Sequence, residues 1–373
     1  MKQSGAFFLL VLSMLSCTRT ASVWEETFGI LSDGRAARLF TLENASGASV
    51  QLSDYGARIV SICVPDKKGM MLDIVTGPGA LKTFENRDRF MGCIVGRYGN
   101  RIDGAAFRMD NKQFILDANE YFGDAPVHIH GGRDGFDRKL WNAEPLTEPG
   151  RAGVRMTYLS PDGEMGYPGA LNTSVTYWWT DDNILRIAYE ATTDKPTIVN
   201  LSNHTYFNLG GQNCYVMEQI LQVEADEYIQ NNAHFCPDKL LPVEDSPFDF
   251  REPHRVDYRI DMPNEHLSIM HGMSACWPVR DYDGTLRKAC RLYSRRSGIA
   301  VTCWTTEPYL LTYTARGFDG SIPGKYGPLE KYTGMLLETT HAADSPNQDR
   351  FPSVILRPGE KYISVTEFRF SRE

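Results

Sequence analysis

Short stretches of β-branched and aromatic residues, each closed by turn chemistry, recur along most of this chain. Residues 154–160 run from Val154 to Ser160 and stop at Pro161-Asp-Gly163, where proline presets one turn dihedral and glycine frees another. Residues 172–179 and 184–190 read as two strands about the polar loop 180–183. Residues 353–356, the turn Arg357-Pro-Gly-Glu360 and residues 362–370 repeat the same grammar. In the last of these, Val365, Glu367 and Arg369 alternate against Thr366, Phe368 and Phe370, so at least one face is apolar. Helical spacing is confined to residues 79–84 and 261–268, a turn or two each. Many short strands with regular turns predict an all-β sandwich or barrel, not alternating α/β units. Large all-β units often exceed 250 residues as one domain, so residues 18–373 are expected to form one.

Composition adds limits. With 42% apolar and 23% charged residues, the chain can bury a sizeable core. Its net charge of −8 and the lack of any Lys/Arg-rich run argue against nucleic acid or an anionic membrane surface as partner. The 11% aromatic share suits sugar-stacking surfaces, but strands alone account for it. Residues 1–17 carry the pattern of an export signal: Lys2, an apolar run from Phe7 to Leu12, then Met14-Leu-Ser-Cys17. The run is too short for an ordinary membrane-spanning helix. Its end resembles a bacterial lipobox with Met at the first position. The expectation is a lipoprotein of the periplasm, outer membrane or cell envelope, anchored only through Cys17, with plain secretion as the other outcome. Seven further cysteines, scattered and without a CxxC pair, leave an odd number, so a disulfide framework is not expected and most should be buried.

Several segments concentrate reactive residue types. Gly92–Ile102 is glycine-rich, but no Lys-Ser/Thr follows and no βα unit surrounds it, so the nucleotide reading is weak. Within it, Asn100 and Arg101 offer adjacent donors for sugar hydroxyls. His128 and His130 would share one face of an extended segment, which invites a metal reading, but the glutamate such a motif wants does not follow. His204 sits in a polar stretch that ends in two glycines, and Glu338 sits in a strand-like run. A histidine that titrates near neutrality and a carboxylate raised by burial can act as acid and base on one substrate.

Together, Gly96-Arg-Tyr-Gly-Asn-Arg-Ile102, His130-Gly-Gly132, Gly135-Phe-Asp137, Gly163-Glu-Met-Gly-Tyr-Pro-Gly169, Ser202-Asn-His-Thr-Tyr-Phe-Asn-Leu209, Leu337-Glu-Thr339 and Asn347-Gln-Asp-Arg-Phe-Pro352 resemble the aldose 1-epimerase (galactose mutarotase) family. The resemblance covers nearly all of the chain after the signal, from Tyr55-Gly-Ala-Arg58 to Arg357-Pro-Gly-Glu360. It implies a large antiparallel β-sandwich, the galactose mutarotase-like supersandwich, with a sugar site on one concave face. It implies an isomerase that interconverts the anomers of free aldohexoses such as glucose or galactose. Glu338 would be the general base and His204 the general acid, with Asn100, Arg101, His130 and Tyr206 around the sugar. No cofactor is needed for this chemistry, and a structural Ca²⁺ is allowed by the resemblance alone. The expected state is a monomer whose partner is its aldose.

Two positions depart from the family pattern. Where a sugar-binding Asp is usual, the register from His271-Gly272 to Cys276-Trp277 puts Ser274, followed by Ala275 where a His is usual. Where a Gln is often found, the chain has Leu311. Losing a charge-assisted acceptor weakens binding or rate by roughly 10- to 150-fold. Asp281 or Asp283 could compensate. The alternative function is an exported sugar-binding relative with little or no turnover. A lyase or glycoside hydrolase would want a second catalytic carboxylate or Tyr in a family pattern, and none is seen.

Overall fold

The computed structural model describes residues 19–87 and 90–373, so the signal and the lipidation expected at Cys17 lie outside the described residues. Strand pairing is antiparallel throughout three large sheets. A nine-stranded sheet runs from Asn142–Glu148 through Arg151–Ser160, Leu171–Thr180, Ile184–Thr193, Tyr362–Arg372, Ile299–Thr305 and Arg287–Tyr293 to Ile220–Val223 and His254–Arg255. A seven-stranded sheet has the order Pro237–Pro242, Glu227–Asn231, Ser274–Pro278, Tyr309–Tyr313, Met335–Thr340, Tyr206–Phe207 and Val75–Thr76. The third sheet has five strands and spans Ser22–Ile30 to Met71–Asp73.

Four of the strands expected from the sequence are present and slightly longer than predicted. Arg151–Ser160 pairs with Leu171–Thr180 without a bulge, from Arg151↔Thr180 to Ser160↔Leu171. The strand expected over residues 353–356 shrinks to Ile355–Leu356, where the Ile355 N–H is drawn to the Ser353 hydroxyl at 3.3 Å in a local side-chain turn. Among the described residues the two α-helices are Leu81–Arg87 and Glu265–Met270, the second capped by the Asn264 side chain accepting from the Leu267 N–H at 3.0 Å.

The main core draws Phe40 and Leu52 from the five-stranded sheet, Trp179 and Phe368 from the nine-stranded sheet, and Phe207, Leu310 and Leu337 from the seven-stranded sheet. Phe207 and Phe368 meet across the sandwich with ring centroids 4.9 Å apart. Truncating such a fully buried ring to Ala costs about 3–5 kcal/mol. Next to this contact the Thr339 and Thr366 hydroxyls bond at 2.5 Å, tying the two sheets together. Every residue of Met335–Thr340 is buried. Leu337 joins the main core, whereas Leu336 and Glu338 line a cavity on the other face. All seven cysteines among the described residues are free, and five are buried.

Candidate active site

A cavity of about 450 Å³ lies on the outer face of the seven-stranded sheet, and strand register builds its floor. One cross-strand row is Ile229, Cys276, Leu311 and Glu338, each the direct partner of the next. The parallel row is Ser274, Tyr313, Leu336 and Tyr206. All eight line the cavity. Residues two apart on a strand share a face, so Ser274 with Cys276, Leu311 with Tyr313, and Leu336 with Glu338 enter together. Loops and a three-stranded sheet of Glu120–Phe122, Ala125–Ile129 and Arg101–Asp103 supply the opposite wall.

That wall depends on tight backbone contacts. Asn100 (φ 66°) and His130 (φ 52°) both adopt left-handed conformations. The His130 N–H donates to the Asn100 carbonyl at 3.1 Å, and the Asn100 N–H donates to His130 Nδ1 at 3.1 Å. Accepting at Nδ1 puts the proton of the neutral ring on Nε2, the donor His130 can offer a ligand. Gly131 (φ 90°) must be glycine, since a Cβ there would lie 1.7 Å from the Gly96 carbonyl oxygen. Asn200 joins this wall to the floor. Its Nδ2 donates to the Gly99 carbonyl and to Thr340 Oγ1, both at 3.0 Å. Arg101 is held by a two-point fork to Glu120, Nε to Oε2 at 2.5 Å and an Nη to Oε1 at 2.8 Å. Its guanidinium also lies 5.1 Å from the Phe235 ring centroid.

His204 follows the two-residue strand Ser202–Asn203, which pairs with Ile94–Val95. Its own N–H donates to the Cys93 carbonyl, and its carbonyl accepts from Gly92, both at 2.9 Å. The ring packs edge-on against His130 at 5.0 Å and Tyr206 at 5.3 Å between centroids. Nδ1 is buried without a hydrogen-bond partner. Burial among these rings lowers the His204 pKa to about 3. Burial, with the neighbouring His204 and Arg101, also takes His130 well below its usual value.

Glu338 is 1% exposed, and its Oε1 is buried without a partner. Burial raises its pKa to about 8, only partly opposed by Ser202 and the charge of Arg101. A carboxyl that stays protonated at neutrality thus faces the same cavity as an imidazole that stays neutral. Such paired perturbations mark sites of proton transfer.

Every site residue expected from the sequence lines this cavity: Asn100, Arg101, His130, His204, Tyr206, Ser274, Leu311 and Glu338. Ser274 donates its hydroxyl to the Thr312 carbonyl at 3.1 Å. The compensation expected of Asp281 or Asp283 is not met. Both are exposed outside the cavity lining, and Asp283 accepts from Thr285. The shared face of His128 and His130 also dissolves, because His130 turns into the left-handed region just past the strand Ala125–Ile129. His128 stays in the core, bonded to the Asp117 carbonyl at 2.7 Å and the Tyr167 hydroxyl at 2.6 Å. Among the described residues no group of three or more His, Cys, Asp or Glu side chains is placed to hold a metal ion.

Glu120, Phe90, Cys276 and Arg316 also line the cavity and were not singled out in the sequence. Glu120 gains meaning only through pairing with Arg101, which no local pattern announces. Arg316 did leave a signal, as a lone cation just beyond the uncharged strand Tyr309–Tyr313.

A family model described as aldose 1-epimerase matches residues 38–369. The galactose mutarotase of Rattus norvegicus is 35% identical over 363 residues, covering 96% of this chain and 99% of the relative. The aldose 1-epimerase of Escherichia coli K12 is 31% identical over 351 residues, covering 93% and 99% respectively. The solved galactose 1-epimerase of Lactobacillus acidophilus shares the fold, with a TM-score of 0.82 at 24% identity over 95% of this chain and 99% of that one.

Proposed function

The chain belongs to the aldose 1-epimerase family, isomerases acting on sugars, and on that premise we propose that its cavity interconverts the α and β anomers of a free aldohexose such as glucose or galactose. The observation that carries this reading is the pair His204 and Glu338: both buried, both with an unpartnered side-chain atom, both lining one cavity.

The Glu338 carboxylate removes the proton from the anomeric hydroxyl while the His204 imidazolium protonates the ring oxygen. The ring C–O bond breaks and the aldehyde forms. Rotation about C1–C2 presents the other face of the carbonyl; the freed hydroxyl attacks it and gives its proton back to His204, while Glu338 returns its proton to the carbonyl oxygen, restoring both groups. The pair needs one transferable proton in total. In the empty cavity that proton rests on Glu338, because burial disfavours charge on either residue. The reacting tautomer moves it to His204. Mutual attraction of the two ions and the nearby charge of Arg101 offset part of the cost. Asn100, Arg101 and the Nε2–H of His130 bind sugar oxygens, and Tyr206 lines the wall beside His204. The steps require no redox or covalent intermediate.

Polarimetry of freshly dissolved α-D-glucose or α-D-galactose tests this. Wild-type protein should accelerate mutarotation, and Glu338→Gln should remove the acceleration. If both equal the buffer rate while calorimetry registers sugar binding, the chain is a binding relative, a reading that the uncharged Ser274 and apolar Leu311 would favour. The signal pattern ending at Cys17 supports work outside the cytoplasm, on sugars met before uptake. Cys17→Ala should then move the protein from the membrane fraction to the soluble one.

A further inference from the structure

Among the described residues, four charged side chains line the cavity: Arg101, Glu120, Glu338 and Arg316. Arg101 and Glu120 neutralise each other through their two-point fork. Glu338 is uncharged at neutrality when the cavity is empty. Arg316 is left over. Among the described residues no ion pair or hydrogen bond forms at its guanidinium, and its Nε is buried without a partner. Burying an unpaired guanidinium atom is unfavourable, so sequences tend to avoid it unless a ligand completes the site. The chain as a whole carries −8, which makes a positive cavity the more unusual.

The local backbone directs this residue. Ala315 (φ 50°) turns the chain just after Tyr309–Tyr313, and the Gly317 N–H donates to the Tyr313 hydroxyl at 2.8 Å, closing the turn with Arg316 at its centre. The Arg316 stem runs beside Gly272, its Cδ 3.8 Å from where a Cβ on that glycine would sit. That places it next to the start of Ser274–Pro278. Ser274 is uncharged, and its hydroxyl donates to the Thr312 carbonyl. Met270 and Gly317 complete this side of the lining and bring no acid.

We propose that this cavity is built for an anionic aldose, a hexuronic acid whose carboxylate is taken by the Arg316 guanidinium while its anomeric centre lies between His204 and Glu338. The inference rests on the epimerase reading of the same site. A planar guanidinium matches a carboxylate or a phosphate in two-point geometry. One free positive charge balances a carboxylate monoanion; a phosphate ester dianion would leave a charge unmatched. The carboxylate is therefore the assignment, and a sugar phosphate is the competing source of the same chemistry.

The test compares kcat/KM for anomer exchange of D-galacturonate, D-galactose and D-galactose 6-phosphate, followed by polarimetry or NMR. D-Galacturonate should exceed D-galactose at least tenfold, and its KM should rise with salt. Arg316→Gln should shrink the galacturonate-to-galactose ratio by about 10- to 150-fold, the range for a lost charge-assisted hydrogen bond. Arg316→Lys should restore part of it. Ser274→Asp, which sets a carboxylate beside Arg316, should also collapse the ratio and guards against a folding failure at Arg316. A ratio below one in wild type, or a ratio that Arg316→Gln leaves in place, overturns the proposal. A clear preference for the 6-phosphate overturns the carboxylate assignment. If no aldose is turned over, the epimerase reading fails by itself. Calorimetric affinities for galacturonate and galactose, with the same variants, then decide the inference separately.

Discussion

Two buried glutamates on neighbouring strands and loops of one sheet have opposite fates. Glu307 lies just before Tyr309–Tyr313 and is fully partnered. It bonds His341 Nδ1 at 2.8 Å and accepts from the Tyr362 hydroxyl at 3.3 Å. Burial alone would push its pKa up, but the charge and hydrogen bond of His341, with Ser364 and Tyr362, hold it below the usual range. Glu338 stands on the next strand, equally buried, with one oxygen unpartnered and a pKa raised to about 8. Its imidazole neighbour in the cavity, His204, is unpartnered as well at Nδ1. A carboxylate and an imidazole that satisfy each other make a brace. The same two groups left facing a cavity make a proton relay. Pairing, not burial, separates structure from chemistry here.

The largest contrast should appear in activity. Glu338→Gln should lower kcat for mutarotation by about 10²- to 10⁴-fold, the range for losing a general acid–base group, without loss of stability in urea unfolding at neutral pH. Glu307→Gln should do the reverse. It strands His341, and breaking a buried pair of this kind costs about 3–5 kcal/mol, read as a lower unfolding midpoint. Equal stability losses in the two variants would erase the distinction.

Stability against pH should separate the two residues next. Glu338 titrates higher in the folded state, so its contribution is whole below about pH 4.5 and is lost as pH rises through about 8. Glu307 titrates lower when folded, so its contribution is present above about pH 4.5 and is lost as acid titrates it. Unfolding free energies at pH 5 and pH 8 should therefore diverge more in wild type than in Glu338→Gln. Smaller effects should follow at the rim. Glu120→Ala frees the partly exposed Arg101 and should raise KM by up to about fivefold, with a smaller change in kcat. Leu311→Gln, directly paired with Glu338, should change KM for neutral hexoses by a few-fold at most.

The strands were legible where polar and apolar residues alternate, as in Arg151–Ser160 and Leu171–Thr180. Met335–Thr340 is buried on both faces, so alternation could not tell which side holds chemistry. His204 and Glu338 became visible through the family motifs around them, and the register then put Leu311 and Cys276 in line with Glu338. What stayed hidden was partnership across space. Nothing local distinguishes Glu307, braced by His341, from Glu338, nor ties Glu120 to Arg101, nor shows that Arg316 has no acid opposite it.

The most direct test of that partnership is a ¹³C NMR titration of carboxyl-labelled glutamates in the ligand-free protein, assigned with Glu338→Gln and Glu307→Gln. One carboxyl, absent from Glu338→Gln, should remain protonated at pH 7 and titrate near 8, while the one absent from Glu307→Gln should be ionised across that range. A Glu338 carboxyl already ionised at pH 6 would contradict the account.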